Sequence, residues 1–245
     1  MNNIFQPGTV KPEEDYLEME RLGSALGIPV PMVHVSVEVR QPDGSVETVT
    51  DRSRTFNRNF WNWLLKSFGC MPGQIPASLF SSDASFGAGH ITNKTTGGSV
   101  INADAAYTSN PGHYNMDLIT SATIGVDTIG IVVGTGSAAE DFENYMLGTK
   151  IAHGTSSGQM TYNAAAFNQP AYNAGTKVWT STISRVFNNN SGGTISVAET
   201  GMYPIHNGAG ATKFMTCRDL LSSPISVFNG GQLTVTYTLT LTFPA

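Results

Sequence analysis

The amino-acid sequence predicts a mainly β protein. The expected architecture is an antiparallel β-sandwich with one amphipathic helix over about 55–69, a short helix over about 138–147 and an extended N-terminal arm over 1–31. Three observations carry this. The closing stretch LTVTYTLTLTF sets Leu233, Val235, Tyr237, Leu239, Leu241 and Phe243 on one face and Thr234, Thr236, Thr238, Thr240 and Thr242 on the other. That is the period of two of a strand with one buried face, and threonine suits the outer face of a pleated sheet. MVHVSVEVR (32–40) alternates in the same way, Val33, Val35, Val37 and Val39 against His34, Ser36, Glu38 and Arg40. Turn signals recur between such runs about every 8–12 residues, the spacing of a sandwich of short antiparallel strands.

Residues 1–31 are polar and punctuated by Pro7, Pro12, Pro29 and Pro31. A helical stretch from Glu13 to Leu26 is acidic at its start and has few apolar residues to bury. Such a terminus is ordered only when something ties it down; a neighbouring subunit or the chain's own domain can do so. After the first strand, Gln41-Pro42-Asp43-Gly44 is a turn in which glycine supplies the positive φ, and a second strand near 45–51 completes a hairpin. RSRTFNRNFWNWLLKSFG places Phe56, Phe60, Trp61, Leu64, Leu65 and Phe68 on one side at helical spacing and Arg58, Asn59, Asn62 and Lys66 on the other. Thr55 or Ser53 can cap its start and Gly69 can end it. Residues 70–128, rich in Gly, Ser, Thr and Asn, are too long for an ordinary loop. They read as an insertion with short strands or as a loop that embraces a neighbour. Further strands are expected near 129–134, 158–166, 177–188, 194–204, 212–218 and 232–243, with Asn188–Gly193 a turn joining two of them. A single β-rich domain, 32–245, thus follows the arm.

Composition narrows the function. Charged residues are 13% of the chain, about half the usual share, and Thr, Ser, Asn and Gly replace them. A hydroxyl- and amide-rich surface suits extended β structure and contact with many neighbours. The net charge of −5 argues against a global electrostatic grip on nucleic acid, so no sequence-specific nucleic-acid binding is expected. The local basic cluster Arg52, Arg54, Arg58 and Lys66 reads as the solvated face of a helix. Cys70 and Cys217 are too few and too far apart for a disulfide scaffold or a cysteine zinc site. No basic-then-apolar leader and no run of about 18 apolar residues is present, so a secretion signal and a membrane span are not expected. Folding in a reducing cytoplasm then makes the sequons at Asn93 and Asn189 chance matches. No two of His34, His90, His113, His153 and His206 have metal-ligand spacing. Asp104, Asp117 and Asp127 offer loop oxygens without an EF-hand pattern, and no metal or cofactor is expected.

Two motifs invite catalytic readings. IGIVVGTGSAAEDFENYML presents strand, Gly134-Thr135-Gly136-Ser137-Ala138-Ala139, then an acidic helical segment, the order of a dinucleotide-binding fingerprint. The required second parallel strand ending in an acidic residue does not follow, and Glu140, Asp141 and Glu143 would repel a pyrophosphate at the helix start. Local physics accounts for the stretch instead: Gly134 and Gly136 as the turn, and Ser137 with Glu140 as the capping box of the short helix. Gly154-Thr155-Ser156-Ser157-Gly158 matches the nucleophile elbow, with His153 beside it, but a strand-like segment follows where the elbow needs a helix. It reads as a Gly/Ser turn. Arg54 to Trp63 interleaves basic and aromatic residues as single-strand binders do, yet its aromatics follow a helical stripe.

GIVVGTGSAAEDFENYMLGTKI resembles a pattern of tailed-bacteriophage virion structural proteins: a Gly-Thr-Gly segment, then an acidic stretch ending in Tyr-x-Leu. SRVFNNNSGGTISVAETGMY, continued through CRDLLSSPISVFNGGQLTVTYTLTLTF, resembles their closing pattern: a strand, an asparagine-rich turn, a strand ending in Glu-x-Gly-x-Tyr, an Arg-Asp pair and a final alternating strand. DRSRTFNRNFWNWLL resembles a helix of the same group. The resemblance covers about half the chain, and its motifs are structural rather than catalytic. It implies a homo-oligomeric virion subunit, a head–tail connector, collar or tail component assembled in the host cytoplasm against portal, tail or major capsid proteins. The expected assembly contacts are Tyr16, Leu17 and Leu22 in the arm and Arg54, Arg58, Trp61 and Trp63 on the helix. A minor capsid or cement protein on the shell, and a receptor- or glycan-binding tail module using the 70–128 insertion, stay open. An enzyme is not expected, because no constellation of titratable groups supports one.

Overall fold

The structure, a computed structural model, describes residues 13–53, 55–67, 92–102, 118–206 and 212–243. Its strands pair antiparallel throughout, as the alternating runs predict. The main sheet has five strands in the order β2 (Val46–Arg52), β1 (Val30–Arg40), β13 (Gln232–Thr242), β8 (Val178–Asn188), β7 (Thr161–Asn173). A three-stranded sheet, β12 (Cys217–Val227), β9 (Ile195–Tyr203), β6 (Gly130–Gly134), packs against one face of it. The other face of the small sheet is covered by the segment 135–160, so β6 is buried at every position. Smaller pairs are β3 (Thr92–Lys94) with β4 (Val100–Asn102), and β10 (Ile205–His206) between β5 (Leu118–Ile119) and β11 (Thr212–Lys213).

The predicted alternation sets the main sheet's sidedness. Val35, Val37 and Val39 of β1 and Leu233, Val235 and Tyr237 of β13 share the buried face. They meet Ile225, Val227 and Cys217 in one core that also holds Ile131, Val133, Tyr162 and Phe187. The opposite face carries the threonines, and hydroxyls line up across strands in the row Thr50–Ser36–Thr236–Ser184. The 41–45 turn forms as predicted: Gly44 adopts φ 86° and Asp43 Oδ1 accepts Ser45 N–H.

Three expectations are corrected. No helix forms over 138–147, which is irregular. The clearest helix, α2 (Arg58–Ser67), is not capped by Thr55 or Ser53; Asn57 Oδ1 accepts Phe60 N–H at 3.2 Å. The two hydroxyls reach Asp219 instead, Ser53 at 2.9 Å and Thr55 at 3.0 Å. The sides of α2 also differ from the predicted stripe. Asn59 and Trp63 are buried and Trp61 is exposed, because the Asn59 amide completes a backbone-like pair with Lys94, donating to its carbonyl and accepting its N–H, both at 2.8 Å. Within the arm, α1 (Glu13–Leu26) forms over the predicted span and touches the domain at β1. Gly69 and Cys70 lie outside the described residues, as do 70–91 and 103–117 of the insertion. The described parts of the insertion contribute the β3–β4 pair, β5 and the segment 120–128.

Strand β12 runs past the predicted 212–218, because a register shift between Leu220 and Ile225 absorbs Pro224. Strand β7 is longer than predicted and carries two such shifts. Arg185, on the buried face of β8, binds the segment 123–131. It donates to the carbonyls of Thr123, Val126, Ile129, Ile131 and Asn163 at 2.6–3.3 Å and stacks over Tyr162. Burial lowers its pKa, but five carbonyl partners satisfy a guanidinium without a carboxylate. Asn93 and Asn189 are both buried, so neither sequon can accept a glycan.

Three buried tyrosines make stability pH-dependent at the alkaline end. Burial pushes Tyr203 up to about 12 and raises Tyr162 and Tyr237 in the same direction, from an ordinary value of 10.0. The unfolded chain therefore loses these protons first, and stability present below pH 10 is lost as pH rises through about 12. Unfolding free energy should fall steadily over that window. Phenolate absorbance from these three side chains should appear together with loss of tertiary signal rather than before it.

Candidate functional site

Strand β9 alternates Glu199, Gly201 and Tyr203 onto the face away from the main sheet, and its neighbour β12 places Arg218 beside them. The Arg218 and Glu199 side chains, 3% and 0% exposed, form an ion pair at 2.7 Å. Glu199 Oε1 accepts the N–H groups of Gly136 (3.0 Å) and Thr149 (2.7 Å); Oε2 accepts Gly148 N–H (3.0 Å) and Arg218 Nε–H. Arg218 spends its remaining donors on the carbonyls of Ala138 and Ala139 and on Asn144 Oδ1. Tyr203 Oη accepts Leu147 N–H at 2.7 Å. The segment 136–149 is thus wrapped around one buried pair rather than coiled into a helix: its two ends donate to Glu199, the Ala138 and Ala139 carbonyls are taken by Arg218, and Leu147 N–H goes to Tyr203.

This geometry answers the Gly-Thr-Gly question. Neither Gly134 nor Gly136 has a positive φ. A Cβ on Gly134 would lie 2.5 Å from Glu199 Oε1, and one on Gly136 would lie 2.8 Å from Glu199 Cδ. Glycine is there so that the backbone can close on a carboxylate of the chain itself, not on a pyrophosphate. The capping box does not form either: Glu140 Oε1 accepts Leu220 N–H at 2.6 Å, and Asp141 Oδ1 accepts Glu143 N–H at 2.7 Å. The Gly154–Gly158 stretch is a bend in which Gln159 Oε1 accepts Ser156 N–H, with no nucleophile–base pair. The neighbouring His153 Nδ1 accepts Tyr162 N–H at 3.2 Å, and the His153 backbone N–H donates to Asp127 Oδ2 at 2.8 Å. Asp127, one of the three loop aspartates, is raised by burial, but the His153 N–H and the Lys150 ammonium outweigh this and hold it below the usual carboxylate range.

Arg218 and Asp219 point to opposite faces of β12, as successive strand residues must. Asp219 faces the main sheet and accepts the hydroxyls of Tyr237 (2.9 Å) and Ser53 (2.9 Å). Cys217 lies fully inside, and burial pushes its thiol well up, so it is not a nucleophile at neutral pH. These groups have protein partners and face the interior. They hold layers together. Among the described residues no group of three or more His, Cys, Asp or Glu could hold a metal ion, and no helix is long and apolar enough to cross a membrane.

What the clamp presents to solvent is a surface. Its segment carries Phe142 and Met146, both exposed, and Phe142 lies against Arg58 of α2; Trp61, three residues on from Arg58 along the helix and so on the same side, is exposed too. Arg58 N–H donates to the Phe142 carbonyl at 2.9 Å, the Arg58 guanidinium lies 6.0 Å from the Phe142 ring centroid, and Arg58 pairs with Glu143. Arginine, tryptophan, phenylalanine and methionine are the residue types enriched at protein interfaces. Of the expected assembly contacts, Arg58 and Trp61 fall in this patch, with Trp61 44% exposed. Leu17 and Leu22 are exposed on α1, and Tyr16 is half-buried under the Arg52 guanidinium. Trp63, 1% exposed against Phe214, is a packing residue and leaves the set of surface contacts. Arg54 lies outside the described residues. Sequence reasoning missed Phe142 and Met146 by assigning them to a helix. It also missed the clamp, although a glutamate alternating with Val197, Gly201 and Tyr203 on one strand face marks a carboxylate that needs a partner.

Compared with family models, curated proteins and solved structures, the chain matches none.

Gly136→Ala should cost about 3 kcal/mol in unfolding free energy, because its Cβ must displace Glu199. Gly193→Ala, which meets open space, should change stability by less than about 0.5 kcal/mol. Chemical denaturation of both variants, with and without added NAD, checks this. Equal costs, or stabilisation by the nucleotide, would contradict the assignment of these glycines.

Proposed function

We propose that the protein is a structural subunit of a bacteriophage virion, a head–tail connector, collar or tail component that works by binding neighbours rather than by catalysis. One observation supports this most. The Gly-Thr-Gly, Tyr-x-Leu, Glu-x-Gly-x-Tyr and Arg-Asp motifs of the resemblance are dispersed between residues 134 and 219, yet they meet in one place. Gly134 and Gly136 close on Glu199 of the Glu-x-Gly-x-Tyr stretch. Leu147 of Tyr-x-Leu donates to Tyr203. Arg218 of the Arg-Asp pair binds Glu199, while Asp219 ties β12 to the final strand through Tyr237. A chance pattern has no reason to converge on one buried node.

The surface is in keeping with that role. Low charge leaves hydroxyl rows on the main sheet, and the clamp sets out an aromatic–arginine patch of the kind that anchors subunit contacts. Many modest contacts of this sort suit a subunit wedged between neighbours.

The test mixes the purified protein with tail-less heads and with free tails of the virus that encodes it, beside the double variant Trp61→Asp/Phe142→Asp. Both positions are exposed, so the variant should melt like the parent. The parent should co-sediment with one of the two particles saturably and in fixed stoichiometry, and the variant should bind at least about tenfold more weakly. A parent that stays in the supernatant with both particles would overturn the reading.

A further inference from the structure

Helix α1 leaves four large apolar side chains exposed, Leu17, Met19, Leu22 and Leu26. It meets its own domain along one narrow line. The Arg52 guanidinium lies 4.9 Å from the Tyr16 ring centroid and pairs with Glu20 at 2.8 Å, and Gly23 is buried where a Cβ would lie 3.0 Å from the Ile28 carbonyl. Beside that line, Met19, Leu22 and Leu26 follow one another at spacings of three and four, the seam of a helix pair. All three are exposed, Leu26 at 71%, as is Ile28 just beyond. An isolated helix of this length is marginal in water and depends on packing of its apolar face; the line through Tyr16, Glu20 and Gly23 leaves that face open.

We infer that the Met19–Leu22–Leu26 seam is covered by the same seam of a second copy, with the two α1 helices antiparallel about a two-fold axis. Charge selects both occupant and direction. The exposed Glu14 and Asp15 make the helix start acidic, with Glu18 following, and its last turn holds no charge. A parallel pair would set two acidic ends and two like dipole ends side by side. An antiparallel pair lays each acidic end against the other's uncharged end and opposes the dipoles. It also brings Glu14 and Asp15 toward the end where Lys177 lines a groove with Ser24 and Ile28; Lys177 has no ion-pair partner among the described residues. A self-complementary stripe is what an isologous contact requires.

Area fixes the strength. A helix of 14 residues is about 21 Å long, and a seam about 10 Å wide buries on the order of 200 Å² per copy, well under the roughly 800 Å² of a stable dimer. The pair is therefore weak in dilute solution and acts where copies are already gathered, as a second point of attachment. The inference deepens the assembly reading and rests on it for its context, but it is tested on the free chain, so the two can fail separately.

In a Cys70→Ser background, Asp15→Cys and Leu26→Cys chains are oxidised separately and as an equal mixture. An antiparallel seam sets position 15 against position 26 of the partner, so the mixture should give a disulfide-linked dimer at least about tenfold in excess of either chain alone. Adding Leu22→Glu should abolish that excess while the melting temperature stays unchanged, since Leu22 is exposed. Cross-linking of each single variant with itself, with no excess in the mixture, means a parallel pair and overturns the inference. So does a mixture that stays monomeric, or one indifferent to Leu22→Glu. If the mixture cross-links but the protein binds neither heads nor tails, the inference stands and the virion role falls.

Discussion

The Glu199–Arg218 pair is the interaction on which the rest of the structure depends. Two opposite charges with almost no exposure are costly to bury, and such a pair is tolerated only when its remaining lone pairs and protons are satisfied. Here the satisfying groups all come from the segment 136–149: three N–H groups for the carboxylate, two carbonyls and an asparagine oxygen for the guanidinium. The pair and the segment therefore require each other. Without the segment the charges are stranded; without the charges the segment has no reason to lie on the small sheet. Everything the segment presents, from the Phe142–Met146 surface to the carbonyl that receives Arg58, follows from that mutual need.

The same device recurs in weaker form. A chain with few charges and much irregular backbone must find partners for buried N–H and C=O groups that no strand supplies. Polar side chains act as substitutes for missing strands. The Gln41 amide donates to the Ser226 carbonyl and accepts Phe228 N–H. Asn57 donates to the carbonyls of Met215 and Asn144. Asn189 donates to the carbonyls of Val227 and Gly193, and Arg185 gathers five carbonyls at the far side of the core. The amides that composition alone assigns to a polar surface are in part interior struts.

This explains which parts of the fold were legible in the sequence. Strands with one apolar face announce themselves, and β1, β8, β9 and β13 lie close to where alternation places them. Helix α1 occupies the span from Glu13 to Leu26 for the same reason of local pattern. What was illegible depends on groups distant in the chain. The acidic stretch 138–147 has the local signals of a helix start, but Arg218, about eighty positions on, takes the Ala138 and Ala139 carbonyls, and Tyr203 takes the Leu147 N–H. Asn59 belongs by type on a solvated face, but Lys94 offers it a strand edge. Trp61 and Trp63 are two residues apart, and only the position of Phe214 decides that Trp63 is the one buried. The surface around Phe142 could not be foreseen while its residues were assigned to a helix.

The most direct test of the clamp is a double-mutant cycle on Glu199→Leu and Arg218→Met, read as unfolding free energy with hydrogen exchange at 135–149. Each single substitution strands a buried charge and should cost about 3–5 kcal/mol. The double should cost far less than the sum, and all three variants should release protection across 135–149 while the main sheet keeps it. Additive costs, or single losses below about 1 kcal/mol with the segment still protected, would show that the pair is incidental and that something else holds the third layer in place.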